Sequence, residues 1–354
     1  MCLLLSILAG YKYLKYFWFE RSVHFSEVVV LDIDRGTGSN SIIEQLVEIG
    51  LSESAWISRL GLKLFFPGFV LKAGEFEFEG LQTQSEVFNL LHSGVSVQHR
   101  VTLIEGKTVE AIVELLQNSQ ELASSSLEHG SAVSMLSLLS EQALQWMGEQ
   151  QSAEGWFYPD TYYFSRGDDW QDILKRAHLR LLQALKEEWQ ERQPGLPYKT
   201  PYEALIMASL VERETGAIEE REEIAGVFVR RLQKRMRLQT DPSVIYGLGD
   251  SYKGNLTRKH LRQDTPYNTY TRGGLPPTPI ALPSRAAIHA ALNPAEGNTL
   301  YFVAKGNGRH AFSETLEQHQ QAVRRYQIEN RRSDYRSSPT KKDAKNAVET
   351  INKG

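Results

Sequence analysis

Thr200-Pro201-Tyr202-Glu203-Ala204-Leu205-Ile206-Met207-Ala208-Ser209-Leu210-Val211-Glu212-Arg213-Glu214-Thr215-Gly216 carries the densest structural signal in the chain. Thr200 has the right chemistry for an N-cap, Pro201 suits the first helical position, and Glu203 places an acid at the third. Residues 204–211 contain no charge, so the helix is apolar all round and should be buried on every side. Charge returns at Glu212, one turn beyond Ala208 and Ser209, so its carboxylate continues a small-residue strip that leaves room beside it. A carboxyl at the lip of a buried helix is partly desolvated, a setting in which a carboxyl can serve as a general acid. The plainer reading is that Glu212 and Glu214 pair with Arg213, Arg221 or another base as the helix meets solvent.

Downstream, the spacing predicts an amphipathic helix over 218–238, acidic at its start and basic at its end, which suits the helix dipole and needs only a packing role. About 60 residues of sparse regular structure follow, from Gln239-Thr240-Asp241-Pro242-Ser243 through Tyr246-Gly247, Tyr267-Asn268-Thr269-Tyr270 and Gly273-Gly274-Leu275-Pro276-Pro277. Amide and hydroxyl groups beside flat aromatic faces are the mixture that binds sugars, although ordinary turn chemistry explains the same composition. Leu300–Ala304 reads as a strand, returned by Gly306-Asn307-Gly308 to His310-Ala311-Phe312 in a hairpin. His310 and His319 lack a metal-ligand spacing, and no metal or other cofactor is expected.

Upstream, Glu27–Ile33 and Ala73–Phe78 read as strands enclosing apolar-periodic stretches at 42–49 and 55–64, a strand-helix-helix-strand order. Val101–Ile104 is a further strand candidate, and Glu105-Gly106-Lys107-Thr108 turns into a helix over 109–116. Residues 117–153 read as a variable insertion with a helix near 136–146. Glu154-Gly155-Trp156-Phe157-Tyr158-Pro159-Asp160-Thr161-Tyr162-Tyr163-Phe164 then packs six aromatics around a Pro-Asp turn. A helix over 170–192 leads to the linker Pro194-Gly195-Leu196-Pro197, and residues 331–354 are too polar to be anything but a disordered tail. The first twenty residues join an uncharged run to a Tyr/Trp/Lys cluster, which approaches a membrane anchor if the lysines snorkel and otherwise makes an amphipathic helix. No secretory cleavage pattern is present.

The chain is 354 residues long with a net charge of −3, enough for two domains and without the basic field that nucleic-acid binding requires. One cysteine excludes both a zinc–thiolate site and an intramolecular disulfide.

The residues from Glu154 to Tyr162, Ala208-Ser209-Leu210-Val211-Glu212-Arg213-Glu214, Arg237-Leu238-Gln239-Thr240-Asp241-Pro242-Ser243-Val244-Ile245-Tyr246-Gly247, Tyr267-Asn268-Thr269-Tyr270, and Gly274-Leu275-Pro276-Pro277 with Pro279-Ile280 stand in one order. In that order the chain resembles the bacterial endolytic murein transglycosylases of the YceG-like family. The resemblance departs at Leu282 and Ser284, where Asn or Thr and Gly are common, and at Gln318, where an acid is common. It implies an α+β protein: a membrane anchor at 1–20, a small LysM-like βααβ module at 23–95 and a mixed α+β catalytic domain at 98–330. It implies a lyase that cuts the β-1,4 bond between N-acetylmuramic acid and N-acetylglucosamine inside nascent glycan strands, leaving 1,6-anhydro ends and terminating elongation. Glu212 maps onto the catalytic acid; Asp241, Tyr246, Asn268, Thr269, Tyr270, Gln239 and Glu154 are the expected substrate-binding residues. The implied partners are peptidoglycan strands, the inner membrane through a single-pass anchor with the catalytic domain in the periplasm, and peptidoglycan synthases. A lysozyme-like hydrolase using Asp241 or Glu154 as second carboxylate, and a non-catalytic peptidoglycan-binding scaffold, are the competing readings.

Overall fold

The computed structural model describes residues 2–20, 22–123, 134–149 and 151–329, and shows a mixed α+β protein. The disordered tail expected at 331–354 and part of the insertion expected at 117–153 lie outside the described residues. The chain divides into two compact units, residues 1–101 with 119–125 and 162–170, and residues 102–118 with 126–161 and 171–354.

In the first unit, helix α1 (Cys2–Leu14) runs through a π turn at Lys15–Phe19 into strand β1 (Ser22–Ile33). Helices α2 (Ser39–Glu48) and α3 (Ala55–Phe65) follow, then strand β2 (Gly74–Thr83) and helix α4 (Gln84–Ser93). β1 and β2 pair antiparallel with Leu31 opposite Phe76 and Ile33 opposite Gly74, and the ladder continues to Ser22 opposite Thr83 after a register shift between Phe25 and Val29. That pairing is why both strands outrun the alternating segments that announce them. The alternation holds: Leu31, Ile33, Phe76 and Phe78 enter the core with Ile42, Ile43, Leu46, Phe88 and Leu91, whereas Val30 is exposed. Helix α4 was not expected, yet Thr83 and Glu86 form a capping box at its start, a Thr-x-x-Glu pattern visible in the sequence.

The anchor expected over 1–20 does not take the form of a spanning helix: among the described residues none is long and apolar enough to cross a membrane. The 13 residues of α1 rise about 20 Å, short of a hydrocarbon core of about 30 Å. Beyond it Phe19 turns inward, 1% exposed, against Phe65, Phe66 and Phe88. Leu5, Ile7 and Leu8 on α1 stay exposed.

Strands β3 (His99–Thr102) and β4 (Thr161–Phe164) form a second ladder. The second unit contains helices α5 (Val109–Gln117), α6 (Glu141–Met147), α7 (Trp170–Gln190), α8 (Pro201–Glu214) and α9 (Arg221–Gln233). After them come α10 (Asp241–Leu248), α11 (Arg258–Arg262), α12 (Arg285–Leu292), the antiparallel hairpin β5 (Tyr301–Ala304) with β6 (His310–Ser313), and α13 (Leu316–Val323). α8 is the capped, buried helix the sequence predicts: Thr200 caps it, Pro201 opens it, and every residue from Ala204 to Glu212 is buried. α6, α9, α10 and α12 pack around it. The helix expected over 218–238 is shorter, because a 3-10 turn occupies Ile218–Glu220 and Arg235 adopts a left-handed φ of 56° past the end of α9. The long segment expected to be irregular holds α10, α11 and α12. Pro242 in the first turn of α10 and Ser284 capping α12 are start signals that its turn-rich composition obscured.

Candidate active site

Glu212 sits in the last turn of α8 with its side chain only 3% exposed. Its Oε1 accepts from Arg221 Nη2 at 2.8 Å. Its Oε2 accepts from the Ser284 backbone N–H at 2.9 Å and from the Ser284 hydroxyl at 2.6 Å. The desolvated carboxyl expected from the sequence is therefore in an ion pair with Arg221, at the first residue of α9, and in contact with the N-cap of α12. The plainer reading of Glu212 as one half of an ion pair is thus correct in geometry, but the pair is buried rather than solvated. Glu214 lies apart from it. Thr240 donates to Glu214 Oε2 at 2.6 Å, and burial pushes that carboxyl above its ordinary range.

Two loops seat Glu212. Ile280 N–H donates to Ser209 Oγ at 3.0 Å, fastening residues 278–284 to the small-residue strip of α8. Gly106 N–H donates to Leu282 O and Leu282 N–H to Lys107 O, both at 2.8 Å, joining that loop to the turn before α5. Arg213 completes the seam by donating to Gly106 O at 2.9 Å. A cavity of about 600 Å³, within the range of small-molecule sites, has Gly106, Lys107, Glu154, Arg213, Tyr246 and Tyr267 in its lining. Glu212 is not among the lining residues, but it neighbours two of them: Arg213 follows it in the chain, and a side-chain carbon at Gly106 would meet Glu212 Cγ at 4.0 Å.

Glu154 does line this cavity. Its Oε1 accepts from Val109 N–H at 3.1 Å, at the start of α5, and its Oε2 from the Tyr246 hydroxyl at 3.2 Å. Burial pushes the Glu154 carboxyl up to about 7, although the Val109 and Tyr246 hydrogen bonds pull the other way. Desolvation and the neighbouring Glu154 also raise Tyr246, which therefore remains a donor. Because the folded value lies above the ordinary 4.5, the stability that protonated Glu154 contributes is complete below about pH 4.5 and lost as pH rises through about 7. The loss is on the order of 3 kcal/mol. Urea unfolding at pH 5 and pH 8 should show it in wild type and not in Glu154→Gln. Equal losses in the two proteins would mean that another group titrates in this window.

Of the other expected binding residues, none lines the cavity. Asn268 is fully buried; its Nδ2 donates to the carbonyls of His260, Leu261 and Gln263, and its Oδ1 accepts from Tyr270 N–H. Thr269 Oγ1 accepts from Thr240 N–H and bonds Ser243 Oγ. Those two residues spend their polar groups on building the loop. Asp241 accepts from the Tyr270 hydroxyl at 2.6 Å, and Gln239 is exposed with a left-handed φ of 51°. Tyr267, passed over at the sequence level, meets Tyr246 edge to face at 4.8 Å between ring centroids. Its position beside Asn268 in the Tyr-Asn-Thr-Tyr motif was the available signal. Among the described residues, no group of three or more His, Cys, Asp and Glu side chains is placed to hold a metal ion.

The sequence model of the YceG-like family matches residues 31–325. The chain belongs to this family. The endolytic murein transglycosylase of Bacillus subtilis strain 168 is 38% identical over 173 residues, 49% of this chain and 48% of that protein. The endolytic murein transglycosylase of Streptococcus pneumoniae serotype 2 strain D39 is 25% identical over 344 residues, 85% of this chain and 61% of the relative. The chain thus spans about half to three fifths of the length of these relatives. A crystal structure of a YceG-like protein from Listeria monocytogenes superposes with a TM-score of 0.54 at 27% identity, covering 84% of this chain and 99% of that one.

Proposed function

We propose that this protein is an endolytic peptidoglycan lytic transglycosylase, a lyase that cuts the β-1,4 bond between N-acetylmuramic acid and N-acetylglucosamine inside nascent glycan strands and so ends their elongation. The observation that carries this reading is the buried Glu212 carboxyl, held at three points beside Gly106 and Arg213, which line a cavity with Glu154, Tyr246 and Tyr267. The names of the Bacillus and Streptococcus relatives support it.

In its protonated form Glu212 gives its proton to the glycosidic oxygen, and the bond from that oxygen to the muramic C1 breaks. The glucosamine portion leaves with a hydroxyl, and positive charge develops at C1. The Glu212 carboxylate then takes the proton from the C6 hydroxyl of the same muramic residue, whose oxygen bonds to C1 and closes the 1,6-anhydro ring. No water is consumed and Glu212 ends as it began, so one carboxylate suffices. Hydrolases commonly need a second, about 5–5.5 or 6.5–9.5 Å away. Glu154 in the cavity lining is the observation that favours a hydrolase as second reading, whereas Asp241 is tied to Tyr270.

The finer features belong to the same proposal. The exposed apolar face of α1 engages the inner membrane with the catalytic unit on the periplasmic side, the strand-helix-helix-strand segment acts as a LysM-like module, and peptidoglycan synthases supply the strands. Mass spectrometry of products from the full chain and uncross-linked glycan strands tests the activity. Internal fragments ending in 1,6-anhydro-muramic acid are expected. Reducing ends would establish the hydrolase, and intact strands that remain bound would establish a binding scaffold.

A further inference from the structure

Arg221 stands among the ion-pair partners the sequence offers Glu212, but the helix that carries it reads as a packing helix with no part in the chemistry. Its side chain is 7% exposed and its Nη2 donates to Glu212 Oε1 at 2.8 Å. The adjacent Nη1 donates to Ser284 Oγ at 3.0 Å. The Ser284 hydroxyl donates a hydrogen bond to Glu212 Oε2 at 2.6 Å and accepts from Ala287 N–H at 3.2 Å as the cap of α12. One planar guanidinium thus spans the acid and the hydroxyl that binds the acid's other oxygen.

The hydrogen-bond inventory of the carboxyl is then nearly complete. A carboxylate offers about four acceptor positions, two on each oxygen. Oε2 receives both the backbone N–H and the hydroxyl of Ser284, and Oε1 receives Arg221 alone. The open position is on Oε1. A buried ion pair is weak evidence for stability, since the cost of desolvating two charges offsets their attraction. A forked donor, in contrast, fixes orientation in a way that a point charge does not.

We infer that Arg221 is a positioning residue for Glu212: by bridging Glu212 Oε1 and Ser284 Oγ it locks the carboxyl in one orientation, with Oε1 as the oxygen that carries and recovers the proton. This rests on the transglycosylase reading. Loss of the fork leaves Glu212 in place but free to turn, so the chemical step suffers while substrate binding does not. Misplacement by about 1 Å costs a reaction on the order of 100-fold.

The test measures kcat and KM on uncross-linked glycan strands for wild type, Glu212→Gln, Arg221→Ala and Arg221→Lys, with thermal unfolding of each protein recorded first. For Arg221→Ala a kcat loss of roughly 100-fold with KM within about twofold is expected. Guanidinium chloride added at millimolar concentration should recover at least about tenfold of that loss, and urea, of the same shape but uncharged and without the ion pair, should recover none. Arg221→Lys keeps the charge without the fork and should lose roughly tenfold in kcat. A folded Arg221→Ala with wild-type kcat overturns the inference, as does equal rescue by urea and guanidinium, which would reduce the side chain to a space-filler. Should Arg221→Ala not fold, a wild-type kcat in Arg221→Lys overturns it instead. A wild-type chain that leaves strands uncut sinks the transglycosylase reading and this inference with it, whereas a cutting wild type beside unimpaired Arg221 variants sinks the inference alone.

Discussion

Replacing Glu212 by glutamine lowers kcat for strand cleavage by roughly 1,000-fold, within the range that a positioned general acid contributes. Glutamine keeps the shape of the side chain and an oxygen that can accept from Arg221, so binding of strands should persist. It cannot donate a proton as an acid or recover one as a base, and both steps of the proposed reaction fail together. The substitution also leaves the Arg221 guanidinium, 7% exposed, without a counter-charge at 2.8 Å. Breaking a buried pair in this way costs about 3–5 kcal/mol, so unfolding must be measured beside activity. A folded Glu212→Gln protein that still cleaves within about threefold of wild type would remove Glu212 from the chemistry and make Glu154 the first alternative acid.

Substituting alanine at Gly155 is expected to destabilise the second unit by about 2–5 kcal/mol and to impair cleavage in whatever fraction folds. Gly155 has φ +78°, where an L side chain costs about 1–2 kcal/mol by itself. The added carbon would also lie 2.5 Å from Pro279 Cβ, 2.8 Å from Pro279 Cγ and 3.3 Å from Ala281 O. A proline ring has no rotamer through which to escape, so the 278–284 loop must move. That loop delivers the Ile280 contact to Ser209 and the Ser284 contacts to Glu212, which couples a glycine in an aromatic motif to the acid. Urea unfolding checks the first claim and strand cleavage the second. A stability change below about 0.5 kcal/mol would show that the loop gives way freely.

The glutamates of this site differ in how they could be recognised. Glu212 is legible because a capped, uncharged run leads to it, and burial of α8 follows from that pattern alone. Glu154 was read as a binding residue, but its burial depends on Tyr246 and on the start of α5, more than 40 residues away in either direction. Asn268, Thr269 and Tyr270 differ again. Amide, hydroxyl and phenol groups suit sugars, yet the first two direct their polar atoms inward to close the loop and the third gives its hydroxyl to Asp241. Composition reports which groups could bind a ligand and not which ones the backbone has already claimed.

By itself the sequence determined what depends on near neighbours: the start and burial of α8, the alternating strands around the two small helices of the first unit, the β5–β6 hairpin, and the order of motifs that places the chain in its family. Periodicity, capping and turn chemistry act over a few residues, so a linear reading retains them. Only the tertiary structure decided which base Glu212 meets and that Ser284 joins it, that Glu154 lines a cavity with Tyr246 and Tyr267, and that Phe19, past the first helix, turns into a core. Each of those contacts is made in space by elements that pack for other reasons. Proton affinity and orientation arise from such contacts, and no local pattern in the sequence records them.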